Sequence, residues 1–181
     1  MLKPWNGHAP SEIPAISFGT WEQCLQKEGW AHFTVLAKRP IQKPVTTAAK
    51  DALRYAVELQ SDPTRYEVEG YRIGPGAYEN WIAAVERGMG SSHGHWWNGM
   101  VWAECRQQAA VFFRELAEHV ESQEATRACA ELSSLYDGIG TALSTAKEKD
   151  VAQSEQLRLL CQARDAERSA PNVLEGLAAA L

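Results

Sequence analysis

From Thr46 onward, apolar residues recur every three or four positions, the period of a helix with one buried face. Before that point the pattern is different. Residues 1–43 carry Pro4, Pro10, Pro14 and Pro40 and no long helical period. Within them Trp30–Lys38 is rich in aromatic and β-branched residues and reads as a strand. Ile13–Phe18 is a weaker strand, suited to an edge because Pro14 interrupts it. The boundary between the two textures falls near residue 43. It predicts an N-terminal irregular or β segment, 1–43, and a helical bundle, 44–181, in one compact domain.

The first helix is expected over Thr46–Gln60, with Thr46 or Thr47 as cap and Ala49, Leu53, Ala56 and Val57 as its apolar stripe. Asp62-Pro63 should stop it. Tyr66–Arg72 reads as irregular chain or a short strand. Gly74-Pro75-Gly76 then opens a short helix, since proline suits the first helical position. Its buried side is expected to be Ala77, Trp81, Ala84 and Val85, with Gly88 as its stop. A long helix follows over His93–His119, capped by Ser91 or Ser92. Its large apolar residues put the core stripe at Trp97, Val101, Cys105, Ala109, Phe112 and Leu116. The next helix, Glu124–Glu148, buries Ala128, Leu132, Leu135, Ile139, Leu143 and Ala146. Gly138 and Gly140 weaken it by about 1 kcal/mol each relative to alanine unless close packing or a bend requires them. The last helix begins near Asp150, and Pro171 should kink or split it, with Ser169 as a second cap. Short connections favour antiparallel neighbours. The fold class is therefore mainly α: a bundle of about five helices with a short β-containing N-terminal segment. One strand cannot satisfy its own backbone groups. Trp5 and Trp21 also have little core around them. Together these features predict a homo-oligomer formed through the N-terminal segment.

Composition narrows the function. The chain has 181 residues and a net charge of -5. That acidic balance argues against nucleic acid, which needs a basic face. No apolar run approaches the roughly 20 residues that span a bilayer. No apolar leader follows Met1. These features predict a cytoplasmic protein without nucleic-acid or membrane partners. Cys24, Cys105, Cys129 and Cys161 are scattered. The last three sit among small or apolar residues and are expected to be buried, reduced thiols.

Candidate chemistry concentrates in Ser91–Arg106, which holds three of the seven tryptophans, two histidines, a glutamate and an arginine. Projected at ~100° per residue, His93, Met100, Glu104 and Gln108 fall within about 60° of Trp97. This face is expected to line a cleft for a small polar-apolar ligand. Trp97 and Met100 would supply apolar contact, and His93, Glu104 and Gln108 hydrogen bonds. The competing reading makes Glu104 an ion-pair partner and His93 part of the helix cap. Arg106 points ~180° from Trp97 and is expected to brace a neighbouring helix through Glu167. His93-x-His95 lacks the i, i+4 spacing of helical metal ligands. Neither a metal nor a cofactor is expected. Cys24 and His32 lack the flanking pattern of a papain-type pair, and no catalytic residue is assigned.

The motifs Gly74-x-Gly76-Ala77-x-x-x-Trp81, His93-Gly94 with Asn98, Glu104-x-Arg106-x-x-Ala109, Tyr136, and Ala163-x-x-x-Glu167 carry a resemblance. Through them the chain resembles the C-terminal helical region of the butirosin-biosynthesis-H-like proteins, relatives of papain-like cysteine peptidases. The resemblance begins around Trp30–Lys38 and covers most of the remaining chain. It implies a helical domain in which His93, Glu104, Arg106, Tyr136 and Glu167 line a cleft between helices. Members of that family are typically longer, with a papain-like N-terminal domain, and at least one transfers an acyl group from a carrier protein to an aminoglycoside. This chain lacks the length for that domain. The expectation is a non-catalytic small-molecule-binding or interaction protein. The alternatives are an acyltransferase or hydrolase component completed by a papain-like domain from another chain, and a structural dimerisation domain.

Overall fold

The computed structural model describes residues 43–181. The expected strands at Ile13–Phe18 and Trp30–Lys38, the residues Trp5, Trp21, Cys24 and His32, and the oligomer contact through residues 1–43 lie outside the described residues. Gln42–Leu181 forms one compact unit. Its five α-helices are α1 Val45–Ser61, α2 Pro75–Glu86, α3 His93–Ala117, α4 Gln123–Ala146 and α5 Gln153–Ala180. The most extensive contacts are between α3 and α4 and between α4 and α5, and α5 also packs on α1 and α2. No described helix is long and apolar enough to cross a membrane.

Local sequence explains most of the boundaries. α1 starts at Val45 rather than at a threonine cap: Pro44 precedes it, and the Pro44 carbonyl accepts from Ala48 N–H at 3.0 Å. Asp62 ends it, because the following Pro63 disfavours helical geometry in the residue before it. A 3₁₀ turn, Pro63–Tyr66, and an isolated antiparallel bridge between Val68 and Tyr71 fill the connection. Gly70, at φ 82°, makes that tight reversal accessible. Pro75 occupies the first turn of α2, and Gly88 ends the segment in the left-handed region at φ 87°. Ser92 caps α3, its hydroxyl accepting from His95 N–H at 3.1 Å. Ser122 caps α4 in the same way.

Several expectations fail here, among them the burial of Ala128 and Leu135, which are half-buried on α4. The buried face of α3 is His95, Gly99, Ala103, Ala110, Phe113 and Leu116. Of the expected stripe only Leu116 is buried; Cys105 and Phe112 are exposed, and Trp97, Val101 and Ala109 are half-buried. The cause is the closeness of α3 to α4. A Cβ on Gly99 would stand 2.4 Å from Lys147 Cβ and 3.3 Å from its Cα. A Cβ on Gly140 would stand 3.2 Å from the Ala103 carbonyl oxygen. Small residues therefore hold the interface, and the larger side chains flank it. On α2 the buried residues are Tyr78, Trp81, Ile82 and Val85, while Ala77 and Ala84 are half-buried at the rim. Finally, α5 runs unbroken through Pro171. Proline removes the hydrogen bond to the Glu167 carbonyl, a loss of about 3 kcal/mol in a free helix. Ala170, Leu174 and Leu177, fully buried around it, hold the helix in place. Ser169 does not begin a second helix; its hydroxyl donates to the Ala166 carbonyl at 2.7 Å.

Candidate functional site

Two charged residues sit inside otherwise apolar helix faces. Arg106 falls in the α3 series Ala103, Arg106, Ala110, Phe113. Glu167 falls in the α5 series Leu160, Ala163, Glu167, Ala170, Leu174. At three- and four-residue spacing each must face the bundle interior. They meet there: Arg106 Nε donates to Glu167 Oε1. The Glu167 side chain is 5% exposed and that of Arg106 25%. Tyr78, from α2, donates through its hydroxyl to the same carboxylate oxygen at 3.5 Å.

Aromatic rings surround the pair. The guanidinium carbon lies 5.4 Å from the Trp102 ring centroid and 6.0 Å from that of Tyr136, so the cation has π-faces as neighbours. Tyr78 meets Trp102 edge-on at 5.4 Å, and Tyr136 stacks on Phe113 at 5.7 Å. Burial and the Glu167 charge push the Tyr136 phenol up to about 12, against the opposing influence of Arg106 and the Gln60 amide. The Tyr78 phenol is raised mainly by burial and then by Glu167. For Arg106, burial works against the charge, and the Glu167 carboxylate more than offsets it, holding the guanidinium above its ordinary range. The site thus contains one cation, one anion and two phenols that stay protonated.

Arg106, Glu167 and Tyr136 of this cluster form one wall of a cavity of about 310 Å³ between α1, α3, α4 and α5. The remaining wall is apolar, with Leu53 and Ala56 from α1, Ala109, Phe112 and Phe113 from α3, and Leu174 from α5. Gln60 also lines it, and its buried Oε1 has no hydrogen-bond partner. The cavity is roughly twice the size of the ~150 Å³ hollow that accepts benzene in a well-packed core. It therefore has room for a small ligand with an apolar body and a polar end.

Of the six residues expected to bind ligand, Tyr136 lines this cavity and the other five do not. Glu104 and Gln108 are exposed, as is His93, whose ring lies 5.6 Å from Trp96 and 6.2 Å from Trp97. Trp97 and Met100 are half-buried. The expected binding face depends on the misplaced α3 stripe and turns outward with it. The expected brace between Arg106 and Glu167 is present. Arg106, Tyr136 and Glu167 are brought together in this wall; His93 and Glu104 are not among its lining. Gln60, Tyr78 and Trp102 are site residues that the sequence reading does not single out. Gln60 ends an amphipathic helix and gives no signal, whereas Arg106 and Glu167 are visible as charges within apolar series.

A second hollow, about 500 Å³, lies beside α2 and the start of α3, lined by Arg72, Asn80, Trp81, His95, Asn98 and Trp102 among others. Ser91–Arg106 does line a cleft here, but through residues other than those expected. Its buried polar groups are already partnered. Trp81 Nε1–H donates to His95 Nδ1 at 2.9 Å, and His95 Nε2 donates to the Ala146 carbonyl at 2.7 Å. This relay ties α2, α3 and α4 together and leaves His95 no free nitrogen.

No family model matches the chain, and neither curated proteins nor solved structures give a match.

Proposed function

We propose that this protein binds a small molecule with an apolar body and a polar end in the cavity between α1, α3, α4 and α5. One observation carries the reading: a buried Arg106–Glu167 pair forms the wall of an otherwise apolar hollow. Buried ion pairs are costly to desolvate and are often replaceable by apolar residues without loss of stability. A pair that also faces a hollow of ligand size has a use that packing alone does not supply. The reading is non-catalytic. The cavity wall contains no cysteine or histidine among the described residues, and its tyrosine, Tyr136, holds its proton. The resemblance to the butirosin-biosynthesis-H-like proteins is compatible with this: a helical domain of that kind would hold one reactant and leave transfer chemistry to a papain-like domain.

The test is a protein-detected NMR screen of small amphipathic compounds, following the methyl groups of Ala52, Ala56 and Ala109, which line the cavity. At least one compound should shift these methyls together. Ala109→Phe, which fills the hollow, should abolish that response while leaving the remaining spectrum folded. The proposal is overturned if no compound moves these methyls, or if the response survives in Ala109→Phe.

A further inference from the structure

The polar wall of the cavity has bonding capacity that the fold leaves unused, and its pattern points to one head-group chemistry. A guanidinium has five N–H donors, and a carboxylate two oxygens with about four acceptor sites. Arg106 uses Nε on Glu167 Oε1, and Tyr78 donates to that same oxygen. No other described residue accepts from the terminal nitrogens of Arg106 or donates to Glu167 Oε2. Among the described residues, donors on Arg106 therefore stand next to an open acceptor on Glu167, both in the wall of one cavity. Gln60, which also lines that wall, adds a second acceptor, its Oε1, without a partner among the described residues.

Charge decides between the groups that could engage such a wall. Arg106 and Glu167 cancel each other, and both neighbouring tyrosines are neutral. A carboxylate ligand would leave the cavity with a net negative charge, and an ammonium ligand with a net positive one. Either is unfavourable beside a carboxylate that is only 5% exposed, where an added charge is poorly screened. A neutral group with an acceptor and a donor side by side satisfies both partners and keeps the charge at zero.

Resting on the binding reading above, we infer that the ligand's polar end is a neutral carboxamide-type group, its carbonyl accepting from the terminal nitrogens of Arg106 and its N–H donating to Glu167 Oε2. The ligand class is then an apolar or aryl amide, not an organic acid or an amine. The apolar body lies against Leu53, Ala56, Phe112 and Leu174.

Three probes of one skeleton test this on the full chain: phenylacetamide, phenylacetate and 2-phenylethylamine, each titrated while the Ala52, Ala56 and Ala109 methyls are followed. Phenylacetamide should bind at least about tenfold more tightly than either charged analogue. Glu167→Gln removes the anion and should erase that preference, with phenylacetate gaining on phenylacetamide by at least about tenfold. Arg106→Gln removes the cation and should favour 2-phenylethylamine instead. Either variant serves if the other does not fold, and the wild-type order stands by itself. Phenylacetate or 2-phenylethylamine binding as well as the amide to the wild type overturns the head-group inference but leaves the binding reading intact. An order unchanged in a folded charge variant also overturns it. Silence of the methyls toward all three probes overturns both.

Discussion

Glu167→Gln is the sharpest probe of the buried pair, because it changes a charge and almost no volume. Glutamine can still accept from Tyr78 and from Arg106 Nε, but the guanidinium keeps its charge beside Trp102 and Tyr136 without a counter-ion. Breaking a buried pair on one side costs about 3–5 kcal/mol. Glu167 is 5% exposed and gains nothing from solvent, but Arg106, at 25%, can rehydrate in part. That places the expected loss at the lower end, about 3 kcal/mol. For a chain of this length it corresponds to a fall in Tm of about 6–12 °C. Thermal melts followed by circular dichroism measure it. Glu104→Gln is the matched control: Glu104 is exposed and pairs with no described residue, so its effect should stay within about 0.5 kcal/mol. Replacing both partners, Arg106→Met with Glu167→Leu, should recover most of the loss, because no charge is then stranded. The reasoning is refuted if Glu167→Gln costs less than about 1 kcal/mol, or if Glu104→Gln costs as much.

The close α3–α4 contact makes opposite predictions for neighbouring glycines. Gly140→Ala should destabilise by about 1–3 kcal/mol in urea unfolding, since its Cβ would meet the Ala103 carbonyl oxygen and Gln107 Cγ. Gly138→Ala, with nothing within 4 Å, should stabilise by up to about 1 kcal/mol. The raised phenols give a pH dependence. The folded Tyr136 pKa lies at about 12 against an ordinary 10.0, so its contribution is complete below pH 10.0 and is lost as pH rises through 12. Stability should fall by about 3 kcal/mol over that window from Tyr136 alone, with the phenolate absorbance of Tyr78 and Tyr136 appearing together with unfolding. Among the thiols, Cys105 is exposed and should react with an aromatic disulfide in the folded protein. Cys129, buried and with its pKa raised by burial, should react only on unfolding. Mass mapping of the labelled peptides distinguishes the two.

The helices are legible in the sequence because their ends carry chemistry that acts locally: Pro63 after α1, Pro75 in the first turn of α2, Ser92 before α3. The rotation of α3 about its axis is not legible. Its large residues set the apparent period, yet Gly99 and Ala103 form its buried face because α4 approaches them closely, and small side chains contribute little to an apolar period. The candidate site moves with that error, so Glu104 and Gln108, expected in a cleft, are exposed. Cys105 is exposed for the same reason. Pro171 misleads for a related one, since local rules predict a break that tertiary burial of Ala170 and Leu174 overrides. The pairing of Arg106 with Glu167 is legible, because a charge inside an apolar series requires a partner from another buried face. The hollow beside them is not, since the spacing of four helices decides it and no local pattern records that spacing.

Intermolecular nuclear Overhauser effects from bound phenylacetamide test the central claim most directly. Contacts are expected from the phenyl protons to the methyls of Ala52, Ala56 and Ala109, and from the amide protons to the Arg106 Nε–H. Contacts to Trp81 and Asn98 in the other hollow, or none to any of these three alanines, would contradict it.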